Sequence, residues 1–361
     1  MVLLTETLPG RSSSVAPDGL AAALAGHDWS RPYYLACAPV ANQLVAGLRK
    51  GRVSAALRKP LIAASYLARS GLFTDWRDGG KPYWPVLASA FRPQAVWASF
   101  GNTDAWIIAQ GIARLARCPW IMDFKDPWSV FIPAPLRRIL ASRFSDGAGA
   151  TARSQQHADD AVRWFGRRPM VVYSGIDEPF LSAPPPAPPD CRRLLVVGGL
   201  YAQGQLETLA DGLAAWARGG ETVTYIGNEG ERFRAACTRF SDQVTIDTQG
   251  FVSLDRVRAL AADSAALLYV RNPDALYQHK LVELLALDRP VLAMPEESSE
   301  AHAIAEELGA RLISCSDASA IAAGLNAAQA TEPMANNRAR LARYTWSAQL
   351  QQFFNALEGW S

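Results

Sequence analysis

No stretch of this chain is long and apolar enough to cross a membrane. The longest apolar run, Tyr33–Ala41, is about half of the roughly 18 residues that a span needs, and Asn42-Gln43 ends it. The first residues lack the basic start, apolar centre and small-residue cleavage site of a secretory signal. Histidine is scarce, at four residues, and the five cysteines (Cys37, Cys118, Cys191, Cys237, Cys315) are odd in number and scattered. None forms a C-x-x-C pair or completes a metal-ligand spacing, so neither a disulfide framework nor a zinc site is expected. No acidic metal cage stands out either, so no metal and no cofactor is expected. A reducing, cytoplasmic setting fits.

What is present is ordinary globular material. The chain has 361 residues, 49% hydrophobic and 19% charged, enough for two domains at roughly 100–200 residues each. The net charge of +2 hides an uneven distribution. Up to Gly175 there are 21 Lys and Arg against 11 Asp and Glu; beyond it, 15 against 23. A basic half suggests an anionic partner such as a phosphorylated substrate or a membrane surface. No recognition motif accompanies the charge, so nucleic acid is not expected.

Pro184-Pro185-Pro186-Ala187-Pro188-Pro189 can join neither helix nor central strand. It reads as a stiff linker close to the charge change. Domains are therefore expected at 1–180 and 192–340, with a linker at 181–191 and a terminal helix at 341–361. After the linker, Leu194–Val197, Thr222–Ile226, Val244–Ile246, Ala265–Val270, Val291–Met294 and Leu312–Ser314 read as buried strands. Helical patterns alternate with them: Leu206–Ala217, Arg232–Phe240, Leu254–Ala262, His279–Leu287 and Glu300–Leu308. The first half repeats the alternation less regularly, with strands at Val2–Thr5, Tyr33–Cys37, Ala95–Phe100, Trp120–Asp123, Ala148–Thr151 and Met170–Tyr173. Helices there include Asp18–Ala25, Asp104–Ala116, Leu136–Arg143 and Gln155–Phe165. The class is α/β, with two Rossmann-like, doubly wound domains. The basic, partly apolar segment Gln43–Phe73 stands outside the alternation, and Pro60 predicts two helical pieces in it. It reads equally as an interfacial region for anionic lipid or as a solvated helix pair.

Four segments carry chemistry. Asp123-Phe124-Lys125-Asp126-Pro127-Trp128 ends a strand, where α/β sheets bind ligands, or else Asp126 caps the next turn. Tyr173-Ser174-Gly175-Ile176-Asp177 is a turn in which Gly175 permits a positive φ. Val197-Gly198-Gly199-Leu200-Tyr201-Ala202-Gln203-Gly204 opens from strand to helix and can cradle a phosphate, or serve as a tight turn. His279-Lys280-Leu281-Val282-Glu283 puts Lys280 and Glu283 on one helix face. The lysine can neutralise a diphosphate and the glutamate accept two ribose hydroxyls; a surface ion pair is the alternative.

In this order the segments resemble a retaining glycosyltransferase of the GT-B fold, family 4. The family shows an Asp-x-Arg-Asp-x-Trp-like strand end, a Gly-Val/Ile-Asp turn, a Gly-x-Leu-Tyr loop and a Lys-Leu-x-Glu helix ending in proline. The resemblance implies a cleft between the domains and a terminal helix, here Tyr344-Thr345-Trp346 onward, that crosses back to the first domain. It implies sugar transfer from a UDP- or GDP-sugar donor to a glycan or polyprenyl-linked acceptor, with retention and without metal. Glu283 falls at the ribose site, and Lys280, Gly199, Leu200 and Tyr201 beside the diphosphate. Gly10 falls near donor phosphate, and Phe251 and Val252 at the base. Asp123, Lys125 and Asp126 join Lys280 as catalytic candidates, Lys125 lying about where relatives carry a histidine facing the sugar. This sequence departs from the family in having Ala275 for a glutamate, Gln203 for a lysine and Lys125 for an arginine. Arg271 or Lys280 is expected to supply the missing charge. A non-catalytic partner on the same fold, or a sugar-nucleotide epimerase, is the alternative. Peripheral association with the cytoplasmic membrane face is expected if the acceptor is lipid-linked.

Overall fold

The computed structural model describes residues 1–5, 14–40, 46–48, 53–72, 74–182, 190–272, 275–330 and 335–360. The chain divides into two compact units: Met1–Val172 with Gln352–Ser361, and Tyr173–Gln351. Gly10 and the proline run 184–189 lie outside the described residues.

Unit one is built on β1 (Val2–Leu4), β2 (Val96–Ser99), β3 (Trp120–Phe124), β4 (Gly149–Ala152) and β5 (Met170–Val171). They pair in chain order, all parallel. Successive side chains alternate across a strand. Val96, Ala98, Trp120, Met122 and Phe124 enter one core; Ala95, Trp97 and Ile121 enter another. When strand order equals chain order, right-handed crossovers all pass over the same face. Helices α1 (Ala55–Arg69), α2 (Thr103–Ala116), α3 (Arg137–Arg143) and α4 (Gln155–Phe165) accordingly send Tyr66, Trp106, Leu140 and Ala158 into the first core. Asn102 starts α2 by accepting the Asp104 amide at 2.7 Å.

The other face is closed by the end of the terminal helix, Trp346–Trp360. Phe353 is fully buried and stacks on Trp97, with ring centres 4.3 Å apart. Leu357 and Trp360 pack beside it against Ala95 and Ile121. A Cβ at Gly149 would lie 2.2 Å from the Trp360 ring, so β4 needs glycine there.

Two expectations for this unit change. Tyr33–Cys37 is not a strand; only Leu35 makes a bridge. Pro32 and Pro39 bracket the segment, and the Val40 amide donates to the Asp75 carbonyl at 2.9 Å rather than to a sheet. Pro60 does not break its helix either: α1 runs through it. The carbonyl it leaves without its helical amide is that of Ala56, on an exposed turn open to solvent.

Unit two holds β6 (Asp190–Val197), β7 (Glu221–Ile226), β8 (Val244–Gln249), β9 (Ser264–Val270), β10 (Val291–Met294) and β11 (Leu312–Ser314). The order is β11-β10-β9-β6-β7-β8, all parallel. Leu194, Val196, Leu268 and Leu292 fill the core on one face, and Leu195, Val197, Leu267 and Val291 that on the other. Burial on both faces is why these strands read as unbroken apolar runs. The chain lays β7 and β8 to one side of β6, then returns to place β9 on the other. Strand order therefore reverses between β6 and β9.

Connecting helices include α5 (Gln203–Trp216), α6 (Gly230–Cys237) and α7 (Leu281–Leu285). α7 is shorter than the expected His279–Leu287. Lys280 is its N-cap residue rather than part of its first turn. Asp288, at φ 57°, and Pro290 close it off at the other end.

Gly149→Ala drives a methyl group into the Trp360 ring. It is expected to cost about 1–3 kcal/mol, the range for an overpacked core, and to lower the urea midpoint. Trp360→Ala in the same chain should recover part of that loss in a double-mutant cycle. Purely additive effects would contradict the contact.

Candidate functional site

The reversal between β6 and β9 leaves a crevice at the carboxyl ends of the strands, where open α/β sheets take ligands. The glycine-rich loop opens into it from β6. Gly198 has φ 109°, a conformation that favours glycine, and its carbonyl accepts the Tyr225 hydroxyl at 2.8 Å. The Leu200 amide donates to Glu229 Oε2 at 2.7 Å, and the Leu200 carbonyl accepts Arg232 Nη1 at 2.6 Å. Arg232 Nη2 also reaches Gln203 Oε1, at 3.3 Å. Gln278 lies near the Tyr201 hydroxyl and opposes the rise in its pKa that burial causes. α5 then begins behind Ala202, whose side chain cannot cap it. Helix amides left in this way suit an anion.

Arg271 follows β9 on the other side of the crevice. Its carbonyl accepts Gln205 Nε2 from α5 at 3.3 Å, and its Nη1 donates to the Ala275 carbonyl at 3.1 Å. Its buried Nε has no hydrogen-bond partner among the described residues.

Glu283 sits on α7, half-buried. Burial pushes its carboxyl above the usual range; Lys280 draws it back down and Asp177 pushes it further up. Asp177 arrives from the Gly175-Ile176-Asp177 turn. The Ile176 amide donates to the Tyr344 carbonyl, and the Ile176 carbonyl accepts the Trp346 amide at 3.1 Å. Gly175 is not at positive φ. It is glycine because a Cβ would lie 2.7 Å from the Trp346 backbone.

Unit one carries a second cluster at the ends of β3 and β4. Asp123 Oδ1 accepts Thr151 Oγ1 at 2.8 Å, and Thr151 in turn accepts Trp97 Nε1 at 3.0 Å. Burial raises the Asp123 pKa, against the pull of Thr151, Arg153, Ser99 and Lys125. Burial raises Asp126 too, with Arg153 and Lys125 opposing it. Two carboxylates therefore share two cations. The amide of the next turn, at Ser129, donates to Asp160 Oδ2 at 2.9 Å rather than to Asp126.

The sequence candidates thus fall into groups. Lys280 and Glu283 act on each other electrostatically, and Tyr201, after Gly199 and Leu200, has Gln278 from the approach to α7 near its hydroxyl. Arg271 flanks the same crevice. Asp123, Lys125 and Asp126 cluster in unit one. Phe251 and Val252 follow the edge strand β8. Val252 packs in one core with Leu281 and Val282, whereas Phe251 is 81% exposed. Beside them a cavity of about 550 Å³ is lined by Asn228, Glu229, Arg232, Arg234, Thr248 and Gly250, among others. Sequence reasoning missed Glu229, Arg232, Arg153 and Thr151. Glu229 had a signal in the Gly227–Gly230 turn that ends a strand; Thr151 had none, since its role depends on strand pairing.

No family model matches the sequence, and no curated protein is similar to it at a significant level. Similarity to solved structures is clear. Anabaena HepE in complex with UDP-glucose matches with a TM-score of 0.59 and 16% identity, over 78% of this chain and 83% of that one. The lipopolysaccharide outer core galactosyltransferase WaaB matches at 0.56 and 16%, over 78% and 80%. A UDP-forming trehalose-phosphate synthase from Burkholderia xenovorans matches at 0.53 and 15%, over 79% of each. The fold is GT-B. In GT-B terms, unit two holds the glycine-rich loop and α7, and unit one the carboxylate cluster.

The folded state holds a proton on Asp123 more tightly than the unfolded chain does. Ionisation of this group therefore costs stability as pH rises through its raised pKa, and costs nothing below the ordinary carboxylate range. Asp123→Asn is expected to be more stable than wild type at neutral pH, the difference closing in acid, as urea titrations at both pH values would record. A variant no more stable at neutral pH would contradict the burial assigned to this carboxyl.

Proposed function

We propose that the protein is a glycosyltransferase of the hexosyl type. It moves a sugar from a nucleoside-diphosphate donor, UDP before GDP, to a hydroxyl of a glycan or polyprenyl-linked acceptor. One observation carries the reading. A carboxylate and a lysine, Glu283 and Lys280, stand together in unit two, and two residues before Lys280 the side chain of Gln278 lies near the Tyr201 hydroxyl of the glycine-rich loop. Ionised Glu283 accepts the two ribose hydroxyls. Lys280 and the amides of Gly199 and Tyr201 meet the diphosphate, with Arg271 as a further donor contact, while the Leu200 amide is held by Glu229. Phe251 and Val252 hold the base, the exposed Phe251 ring offering a face for it to stack on. The HepE complexes with UDP-glucose and UDP support uridine.

The chemistry follows from charge. The bond between sugar C1 and the diphosphate oxygen breaks, and its electron pair stays with the diphosphate. Lys280 and the loop amides stabilise that charge as it develops, which is the basis for proposing transfer without a metal. The acceptor oxygen bonds to C1, and its proton leaves to a carboxylate of the pair Asp123 and Asp126. Lys125 and Arg153 oppose the burial that raises the pKa of both carboxyls. Retention of configuration belongs to the same proposal. Gln203 and Ala275 favour a second reading, a partner that binds nucleotide and does not turn it over.

UDP at a hundred times its Kd is expected to add about 2.7 kcal/mol of stability. Glu283→Ala should weaken UDP about ten- to hundredfold, the range for hydrogen bonds to a charged group. Affinity in the wild type should fall as pH drops through the raised Glu283 pKa, because protonation removes an acceptor. Asp123→Asn should keep UDP binding and lose about a hundredfold in turnover. Calorimetry and a UDP-release assay read these outcomes. No stabilisation by any nucleotide would overturn the proposal; binding without turnover on any acceptor would favour the second reading.

A further inference from the structure

Helix α1 carries apolar side chains on its solvent face as well as on its core face. Tyr66 is buried, and Ile62 and Ala63 pack on the unit-one core. Leu57, Pro60, Ala64, Leu67 and Ala68 face outward. Leu57 is 59% exposed and Leu67 46%. Their three- and four-residue steps make one stripe along the helix. A solvated surface helix keeps its apolar residues to the core face and shows polar ones to water. α1 has no Asp or Glu, and Arg58 and Lys59 lie exposed between Leu57 and Pro60.

The elements packed against α1 carry further exposed apolar side chains. α1 packs on the turn Ala134–Leu136, and Arg143 of α3 donates to the Tyr66 and Leu67 carbonyls. Phe131, before that turn, and Ile139, after it, are each 45% exposed. Single exposed apolar side chains are ordinary; a continuous stripe set among cations marks a docking surface. A second protein would cover the stripe but gives no reason for α1 to lack acidic residues. An anionic bilayer surface accounts for both features. Aliphatic side chains enter the acyl boundary, and Arg58 and Lys59 meet headgroup phosphates.

We propose that unit one docks on an anionic lipid surface through the outward stripe of α1, with Phe131 and Ile139 beside it. The inference goes beyond the transfer reading and does not rest on it. The full-length protein should co-sediment at low salt with vesicles of equimolar phosphatidylcholine and phosphatidylglycerol. It should bind phosphatidylcholine alone at least about tenfold less. Leu57→Glu/Leu67→Glu should lose at least about tenfold in binding to the anionic vesicles. Both sites are exposed, so circular dichroism and the urea midpoint should stay as in wild type. Arg58→Gln/Lys59→Gln should keep weak binding and lose the anionic preference. Wild type left in the supernatant, or a folded Leu57→Glu/Leu67→Glu protein that binds as wild type does, would overturn the proposal. So would a dimer in sedimentation velocity that the same double variant dissolves, since the stripe would then belong to a second copy. Stabilisation by UDP is read separately, so failure of docking and failure of transfer are distinguishable.

Discussion

Parallel pairing of β6 with β9 is the contact on which the site of unit two depends. β9 joins β6 only after β7 and β8 occupy the far side. No connection then crosses the gap between their carboxyl ends, and backbone from both strands opens into it. The glycine-rich loop is held there at several points. Tyr225 bonds Gly198, and Glu229 and Arg232 take the amide and carbonyl of Leu200. A loop fixed before a ligand arrives loses little entropy on binding. The same pairing carries the chain out at Arg271 and on to α7, where Lys280 and Glu283 stand.

Unit one reaches its cluster by a different route. Its strands never reverse, so one sheet face depends on the terminal helix for cover. Asp123 lies on that covered side of β3, between Met122 and Phe124, which enter the opposite core. Phe353 stacks on Trp97, Trp97 donates to Thr151, and Thr151 donates to Asp123. The last helix thus orients a carboxyl that is far from it in sequence. A carboxyl held above its usual pKa by burial is a costly thing to keep, and such costs concentrate at functional sites.

Much of the fold was legible in the sequence because parallel strands buried on both faces leave continuous apolar runs. Val291–Met294 and Leu312–Ser314 are strands with the expected bounds, and Leu254–Ala262 and Gln155–Phe165 are helices with theirs. Tyr33–Cys37 misled because hydrophobicity says nothing about where a proline-flanked segment sends its amides. Pro60 misled because its cost depends on whether water reaches the freed carbonyl. At the candidate site, residues next to one another in sequence could be read, as with Lys280 and Glu283 or Asp123 and Asp126. Partners that meet only through folding could not. Asp177 beside Glu283, Arg232 on the Leu200 carbonyl and Thr151 on Asp123 all come from distant parts of the chain. The direction in which α1 faces was also hidden, since a helical stripe fits core or solvent equally.

Amide hydrogen exchange of the full-length protein, with and without saturating UDP, tests the central claim most directly. The account predicts slowed exchange in the peptides covering Gly198–Gln203 and Gln278–Glu283, the two segments that border the crevice. Unchanged exchange in both, or slowing confined to unit one, would contradict it.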